Sequence, residues 1–293
     1  MVFTIKKVIN NNILCVTDAG GSEMIVTGRG IGFGHKAGQP VNSDAVQKIY
    51  HMASMPVQQK LMDLLEQIPY DHFLLTDELV SEIRKKIPYT LNEGLLITLA
   101  DHISFAIKRK EQGVEFKNPL LESIREYYPE EYRMGKACVQ RIQEKLSVDL
   151  SKDEAGFIAL HIVNAELNTT MSITNDITRF VDGCVKVVES YYGRVFDHES
   201  LAFSRLAVHL RFFAQRLFQH EQESDDSMQD QDFRRLIASS CKEHYECAKK
   251  IAAYVAETWN QELTEEELLF LSLYFVVCRR QSASTFGPRE AGI

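Results

Sequence analysis

Hydrophobic and polar residues alternate or cluster in short runs over residues 1–55, which is typical of β-strands. The runs Thr4–Ile9, Ile13–Thr17 and Glu23–Thr27 are rich in β-branched side chains. Asp-Ala-Gly-Gly at 18–21 predicts a hairpin turn between two of them. The pattern predicts a small all-β domain. A sheet of this size buries little apolar surface, so we expect it to associate with a second copy.

The pattern changes to helical spacing from about residue 58 and keeps it. The first apolar stripe consists of Leu61, Leu64, Leu65 and Ile68. Four prolines mark the ends of successive helices: Pro69, Pro88, Pro119 and Pro129. We interpret Met52–Pro56 as the linker between the sheet and the helices. The remainder of the chain is therefore predicted to be all-α.

An internal repeat divides the helical part into two copies. Leu99–Arg109 recurs as Leu206–Arg216 at an offset of 107, with leucine, alanine, histidine, phenylalanine and arginine in matching places. Leu150–His161 recurs as Leu263–Tyr274 at an offset of 113. The repeat predicts two similar helical bundles, which we place at residues 58–169 and 172–281, with a tail at 282–293.

Both copies of the second segment open with the sequence of a capping box. Ser151 stands three residues before Glu154, and Thr264 stands three residues before Glu267. Such pairs predict a helix start, because each side chain bonds the backbone of the other. Residues 221–232 are rich in acidic side chains and are predicted to form an exposed loop.

Composition narrows the class of protein. The net charge is −8, yet residues 1–55 hold five basic and three acidic residues, which is compatible with a nucleic-acid partner at this end. The six cysteines form no CxxC pair, as expected of reduced thiols. Neither a signal peptide nor an apolar run of membrane-spanning length is found. We therefore expect a cytoplasmic protein without membrane insertion.

Three of the nine histidines occupy repeated or motif positions: His102, His161 and His209. An ordinary packed histidine is the alternative for any one of them. Metal binding is disfavoured because no companion ligands stand at the required spacing. General-base catalysis is disfavoured because no nucleophile motif accompanies them. Phosphorylation is the third possibility, since a phosphoryl group adds about two negative charges and can shift an assembly between two states. No cofactor is expected.

A glycine-rich stretch, Gly28–Gly34, leaves two interpretations open. A phosphate-binding loop is excluded, because GxxxxGK[ST] and a βαβ pattern are both absent. The glycines can simply relieve crowding in a strand and turn. Alternatively they let the backbone approach RNA, with Arg29 on a phosphate or guanine and Phe33 stacked on an unpaired base. The asparagine run at 10–12 can bond base edges or form a turn.

These residues carry a resemblance to a known family. Lys-Val-Ile-Asn-Asn-Asn at 7–12 and Gly-Arg-Gly-Ile-Gly-Phe at 28–33 resemble the RNA-binding head of BglG-type transcriptional antiterminators. The segments around His102, His161 and His209 resemble the histidine segments of their two phosphotransferase-system regulation domains. The resemblance covers about residues 3–280. It implies a multidomain protein, with a dimeric four-stranded antiparallel sheet followed by two all-α bundles.

The resemblance also implies a mechanism and a set of functional residues. The head binds an imperfect hairpin in a leader mRNA as a homodimer and prevents a terminator from forming, and the protein is not an enzyme. The implied RNA contacts are Lys7, Asn10, Asn12, Gly28, Arg29 and Phe33. The implied phosphorylation sites are His102 and His161, which respond to a sugar-specific permease, and His209, which the general phosphocarrier HPr phosphorylates. Tyr274 departs from the family pattern, because it replaces the fourth histidine.

Three other classes of protein fit the sequence less well. A DNA-binding activator with similar regulation domains is disfavoured, because such a protein is expected to begin with helix-turn-helix segments and this one begins with strands. A histidine-metal hydrolase lacks the ligand spacing. A pure scaffold predicts neither RNA affinity nor phosphate uptake. The inducing sugar is not fixed by the sequence: overall similarity favours β-glucosides, but sucrose-type relatives share the motifs.

Overall fold

The N-terminal residues form one antiparallel sheet of five strands. The computed structural model describes residues 2–51, 55–88, 90–219 and 241–280. The strands are β1 (Val2–Asn10), β2 (Ile13–Thr17), β3 (Glu23–Thr27), β4 (Pro40–Asn42) and β5 (Lys48–Tyr50), in the spatial order β4-β1-β2-β3-β5. The all-β prediction for this region is confirmed. The resemblance implied four strands, and the described residues form five; β4 and β5 have three residues each, too few to show an alternating pattern.

The predicted hairpin joins β2 and β3. Asp18 accepts hydrogen bonds through Oδ1 from the backbone N–H groups of Gly20 and Ser22, at 2.9 Å each. This turn lets β2 and β3 pair in antiparallel register from Ile13 opposite Thr27 to Thr17 opposite Glu23. The two central strands are buried along almost their whole length, which accounts for their nearly continuous apolar sequence.

Strand β1 is irregular where it pairs with β2. Its register shifts between Ile5 and Lys7 and again between Val8 and Asn10. A bulge of this kind breaks the strict alternation of faces. As a result, Lys6 and Lys7 are consecutive and both exposed. The strand therefore alternates between exposed and buried residues from Val2 to Ile5 and has no buried residue after Ile5.

The two faces of the sheet belong to two different apolar clusters. One cluster lies within the head and consists of Phe3, Ile5, Leu14, Val16, Met24, Val26, Ile31 and Val41. On the other face, Ile13, Ile25 and Tyr50 join a larger cluster that includes residues of the following helices. The head therefore completes its core on helices of the same compact unit, as a sheet with little core of its own requires.

The helices follow the order predicted by the sequence pattern. They are α1 (Met55–Leu65), α2 (Tyr70–Lys86), α3 (Leu95–Glu111), α4 (Leu121–Tyr127), α5 (Pro129–Leu146), α6 (Lys152–Leu167), α7 (Met171–Tyr192), α8 (Leu201–Gln219), α9 (Lys242–Trp259) and α10 (Glu265–Arg280). The four prolines adjoin helix ends as expected. None of the described helices is long and apolar enough to cross a membrane.

Three irregular segments were predicted: the linker, the acidic loop and the tail. Of the expected linker Met52–Pro56, Met55 and Pro56 instead belong to the first turn of α1, where proline fits because no N–H is needed. Residues 52–54 lie outside the described residues. The expected acidic loop at 221–232 and the tail at 282–293 also lie outside them.

Close packing divides the chain into two compact units. The first consists of residues 1–118 and 133–168, and the second of residues 119–132 and 169–293. The segment 119–132, which contains α4, therefore belongs with the second unit, although it precedes the end of the first sequence repeat. Within the second unit, Tyr127 donates a hydrogen bond to Asp182 at 3.2 Å, and the hydroxyls of Tyr128 and Thr178 lie 3.1 Å apart.

Candidate functional site

The asparagine run between β1 and β2 supports the glycine-rich loop. Asn10 accepts the N–H of Asn12 through Oδ1 at 2.9 Å and donates through Nδ2 to the carbonyl of Leu65 at 3.1 Å. Asn12 in turn accepts the N–H of Gly30 at 2.8 Å. These bonds give both side chains a structural role in holding the loop, and they leave less of the Asn10 amide for base edges.

Gly28 and Gly30 are glycines for different physical reasons. A Cβ added to Gly28 would lie 2.2 Å from the carbonyl oxygen of Ala45, so only glycine allows this close approach of two backbone segments. Gly30 instead has a φ of +71° and open space around it. Crowding within the head is therefore enough to explain Gly28, without a contact to RNA.

The loop presents two side chains that nothing in the head requires there. Phe33 is 76% exposed, the most exposed of the large apolar side chains in the described part of the chain. Arg29 is also exposed. It stands two residues after Thr27, the buried last residue of β3, and four residues before Phe33 in the same loop. An exposed ring and an exposed guanidinium on the same loop offer a stacking surface and a bidentate donor, which together suit an unpaired base and a phosphate.

Lys7 lies on β1 and is already paired. Its Nζ is 2.5 Å from Oε1 of Glu66, and this hydrogen bond raises the pKa of the lysine. Both side chains remain largely exposed, so the pair contributes little to stability. Of the six proposed RNA contacts, Arg29 and Phe33 are thus presented outward, Lys7 is engaged with a carboxylate, and Asn10, Asn12 and Gly28 help to build the loop.

The second candidate site lies between α3 and α6 in the first unit. His102 on α3 and His161 on α6 stack with ring centroids 4.9 Å apart. Phe157, one turn before His161, packs against His102 at 5.8 Å. The two histidines that the sequence singled out are therefore neighbours, because each lies on the apolar face through which its helix packs.

Burial makes His161 a neutral imidazole. Desolvation, followed by the nearby His102, lowers the pKa of His161 to about 3. Its Nδ1 atom is buried without a hydrogen-bond partner among the described residues. At neutral pH the ring is uncharged, which is the form that carries a nucleophilic lone pair.

Glu154 connects this pair of histidines to a buried arginine. Its Oε2 lies 3.0 Å from Nε2 of His102, and its Oε1 accepts a hydrogen bond from Arg109 at 2.9 Å. The side chains of Arg109 and Glu154 are each only 7% exposed. Sequence reasoning missed this use of the two residues. A signal was present, since arginine and glutamate are both kept in the second copy of the repeat.

The predicted capping box at the start of α6 is not formed. Ser151 makes no side-chain bond to the helix, and the Glu154 carboxylate is turned to Arg109 and His102 rather than to the backbone of Ser151. The predicted box at α10 is confirmed. Glu267 accepts the N–H of Thr264 at 2.8 Å, and the N–H of Glu267 donates to the Thr264 hydroxyl at 3.3 Å. Equivalent glutamates therefore make different bonds in the two repeats.

The histidine of the second repeat lies between α8 and α10. His209 is largely exposed, and its ring packs against Tyr274 and Phe270 with centroids 4.6 and 5.8 Å apart. Partial desolvation lowers its pKa. Tyr274 thus stands against His209 as His161 stands against His102. Among the residues with described positions, no group of three or more candidate ligands is placed to hold a metal ion.

Comparison with known proteins identifies the family in which these sites occur. Residues 3–59 match the CAT RNA binding domain, and residues 77–165 and 182–277 match the PRD domain. The chain is 37% identical to the transcription antiterminator LicT of Bacillus subtilis, over 92% of this chain and 96% of that protein. It is 34% identical to the beta-glucoside operon antiterminator of Dickeya chrysanthemi, over 92% of this chain and 94% of that protein.

Two further matches were found. The PtsGHI operon antiterminator of Bacillus subtilis is 31% identical, over 93% of this chain and 95% of that protein. The crystal structure of GlcT CAT-PRDI is 37% identical with a TM-score of 0.49, and it covers 57% of this chain and 99% of that chain.

The chain belongs to the BglG family of transcription antiterminators. It is an RNA-binding regulator rather than an enzyme. Its head is the CAT domain, and its helical repeats are PRD domains through which the phosphotransferase system regulates it. The resemblance noted from the sequence motifs is thereby confirmed.

Proposed function

We propose that the chain binds a hairpin in a leader mRNA as a homodimer and thereby prevents terminator formation in a sugar-utilisation operon. The observation that carries the proposal is the outward presentation of Arg29 and Phe33 on a loop held by Asn12. A large aromatic side chain exposed to this extent has no packing role, and stacking on an unpaired base gives it one. A cytoplasmic location follows from this function.

The RNA-contact set of the proposal is Lys7, Asn10, Asn12, Gly28, Arg29 and Phe33. Arg29 and Phe33 make the direct contacts with phosphate or base. Lys7 adds a phosphate contact once it leaves Glu66, while the asparagines and Gly28 hold the loop in position. This assignment combines the family resemblance with the hydrogen bonds described above.

Binding of the full chain to a labelled, family-type antiterminator hairpin across a salt series tests this proposal. Arg29→Ala and Phe33→Ala are expected to weaken binding, and Arg29→Ala also to reduce the salt slope, since one phosphate contact fewer is neutralised. Lys36→Ala is the matched control, because it removes a positive charge near the same loop but outside the contact set. Equal losses in all three variants, or no binding by the folded chain, would contradict the proposal.

We further propose that the operon serves β-glucoside utilisation. The support is the name of the Dickeya chrysanthemi relative, the beta-glucoside operon antiterminator, at 34% identity. The PtsGHI operon antiterminator is somewhat less similar, at 31% identity. Reporter transcription through a terminator with its leader, measured in cells given a β-glucoside or another sugar, tests the assignment. Induction by another sugar alone would refute it.

We propose that histidine phosphorylation controls the output. The regulation domains are placed at 58–169 and 172–281, after a head at 1–55, and the PRD matches at 77–165 and 182–277 support this division. His102 and His161 receive phosphate under control of the sugar-specific permease, which keeps the protein inactive. His209 receives phosphate from HPr, which activates it. If His209→Ala left the responses to sugar and carbon source intact, the role of His209 would be refuted.

A further inference from the structure

A buried arginine beside His102 has more hydrogen-bonding capacity than the first unit uses. The guanidinium of Arg109 lies against two rings, 4.9 Å from the centroid of Phe105 and 4.2 Å from that of Phe116. One terminal nitrogen donates to Glu154. The Nε atom is buried and has no hydrogen-bond partner in the described part of the chain. The two rings fix the plane of the guanidinium, and its fork is only half used.

Unsatisfied polar atoms are concentrated around this arginine. Nε2 of His102 and Oε2 of Glu154 are 3.0 Å apart, yet neither forms a hydrogen bond of acceptable geometry. Buried polar atoms in folded proteins are nearly always bonded, so a cluster of unbonded ones indicates a site built for a further group or a second arrangement.

The second repeat shows where the carboxylate can go instead. Glu267 bonds the backbone of Thr264 at the start of α10, whereas Ser151 at the start of α6 lacks the equivalent bond. Glu154 stands at the same place relative to Ser151 as Glu267 does to Thr264. A change of side-chain rotamer can therefore return Glu154 to the capping box that its own sequence encodes.

We propose that Glu154 occupies, in the unphosphorylated chain, the place that the phosphoryl group of His102 takes, and that Arg109 is the receptor of that phosphate. The inference rests on the proposed phosphorylation of His102 and assigns the residues that respond to it. Arg109 exchanges a carboxylate for a phosphate, for which its planar fork is suited. Glu154 then moves to the N-terminus of α6 and closes the capping box with Ser151.

The chemistry can be followed with potassium phosphoramidate as the phosphoryl donor. The lone pair of Nε2 of His102 attacks phosphorus and forms the new N–P bond, while Nδ1 keeps its proton. The donor reacts in its zwitterionic form, whose nitrogen already carries three hydrogens, so the N–P bond of the donor breaks and the nitrogen leaves with the bonding pair as ammonia. The phosphoryl oxygens place about two negative charges beside Glu154, by analogy with other phosphorylated residues, while the ring that keeps its Nδ1 proton carries one positive charge. Repulsion between these charges moves the carboxylate away.

The test measures phosphate on individual histidines of the full-length chain. Wild type, Glu154→Gln and the matched control Glu267→Gln are incubated with potassium phosphoramidate, and site occupancy is followed by mass spectrometry. Glu154→Gln is expected to speed labelling of His102 severalfold, because the charge that guards Nε2 is gone. Glu267→Gln is expected to leave labelling of His209 unchanged, since Glu267 only caps its helix.

A second measurement follows the Nε–H resonance of Arg109. In the phosphorylated wild type, the Nε–H resonance of Arg109 is expected to shift and to become protected from exchange with water. Arg109→Lys keeps the positive charge but loses the fork, so phosphate on His102 should be lost severalfold faster. Thermal unfolding of each variant confirms that the unit remains folded.

The possible outcomes separate this inference from the proposed function. Phosphate on His102 with an unchanged Arg109 resonance, or with no acceleration in Glu154→Gln, would overturn the inference alone. If His102 took no phosphate from phosphoramidate or from phosphorylated HPr in any variant, the inference would fall together with the proposed phosphorylation of this site.

Discussion

The ring of Tyr274 lies against His209 with a centroid separation of 4.6 Å, in the place where His161 lies against His102 at 4.9 Å. The fourth position of the repeat has thus kept its packing and changed its chemistry. Phenol is not a substitute for imidazole as an acceptor from phosphohistidine carriers. The first unit holds two candidate acceptors on facing helices, whereas the second unit presents one candidate acceptor, His209, and one aromatic neighbour.

Replacing Tyr274 with histidine should give the second domain a second phosphoryl acceptor. We expect Tyr274→His to take up phosphate in addition to His209 in the presence of HPr, enzyme I and phosphoenolpyruvate. His209→Ala in the natural background should leave the second domain unlabelled. Mass spectrometry of the labelled peptides measures both. Labelling of the second domain in His209→Ala would show that another residue is the acceptor.

Acid should destabilise the first unit through His161. Because its folded pKa is about 3 and its unfolded value is near 6.5, the unfolded chain binds more protons between these values. Stability is therefore fully present above about pH 6.5 and is lost as pH falls. Between pH 7 and pH 5 the loss attributable to His161 should be about 2 kcal/mol.

Urea unfolding at the two pH values checks this. The matched variant is His161→Tyr, since tyrosine already fills the equivalent place in the second repeat. The variant should lose less stability than the wild type on acidification, while contributions from other histidines remain in both. Parallel pH dependences for the two proteins would show that His161 is not held neutral.

The segment 119–132 should be anchored to the second unit by a buried ion pair. Within that unit, the carboxylate of Glu131 lies 3.6 Å from the guanidinium of Arg211, and both side chains are about nine-tenths buried. Arg211→Met alone should destabilise the unit by about 3 kcal/mol, because it leaves a buried carboxylate unpaired. Adding Glu131→Gln should recover part of the loss. Denaturation of the two single variants and the double variant measures the coupling, and additive effects would contradict it.

An alanine substitution at Gly28 should disturb the head more than the same substitution at Gly30. Gly28→Ala places a Cβ 2.2 Å from a backbone oxygen, so β3 or the segment at Ala45 must shift. Gly30→Ala meets open space and has only to adopt a positive φ, at a cost of about 1 kcal/mol. Hydrogen exchange of β2 and β3 amides in the full chain should show the larger loss of protection in Gly28→Ala. Equal protection in both variants would contradict this account.

The sequence predicted local features well because they depend on local rules. Short runs rich in β-branched residues located β1, β2 and β3, and the repeated segments singled out His102 and His161. The assignment of α4 to the second unit was not predictable, because it depends on long-range packing of Tyr127 and Tyr128 on α7. The hydrogen-bond and ion-pair partners of Glu154 were also not predictable from the sequence. The same Ser-x-x-Glu pattern supports a cap or an ion pair, and only the position of Arg109 in space decides between them.

The two register shifts in β1 set a limit on how this head can vary. They make the outward position of Lys7 depend on the number of residues before it rather than on the identity of those residues. Deleting one residue ahead of Lys7 would turn the following side chains to the opposite face of the sheet. Over evolutionary time we therefore expect the exposed residues of this strand other than Lys7 and Asn10 to vary among relatives, while single-codon insertions and deletions within it are eliminated.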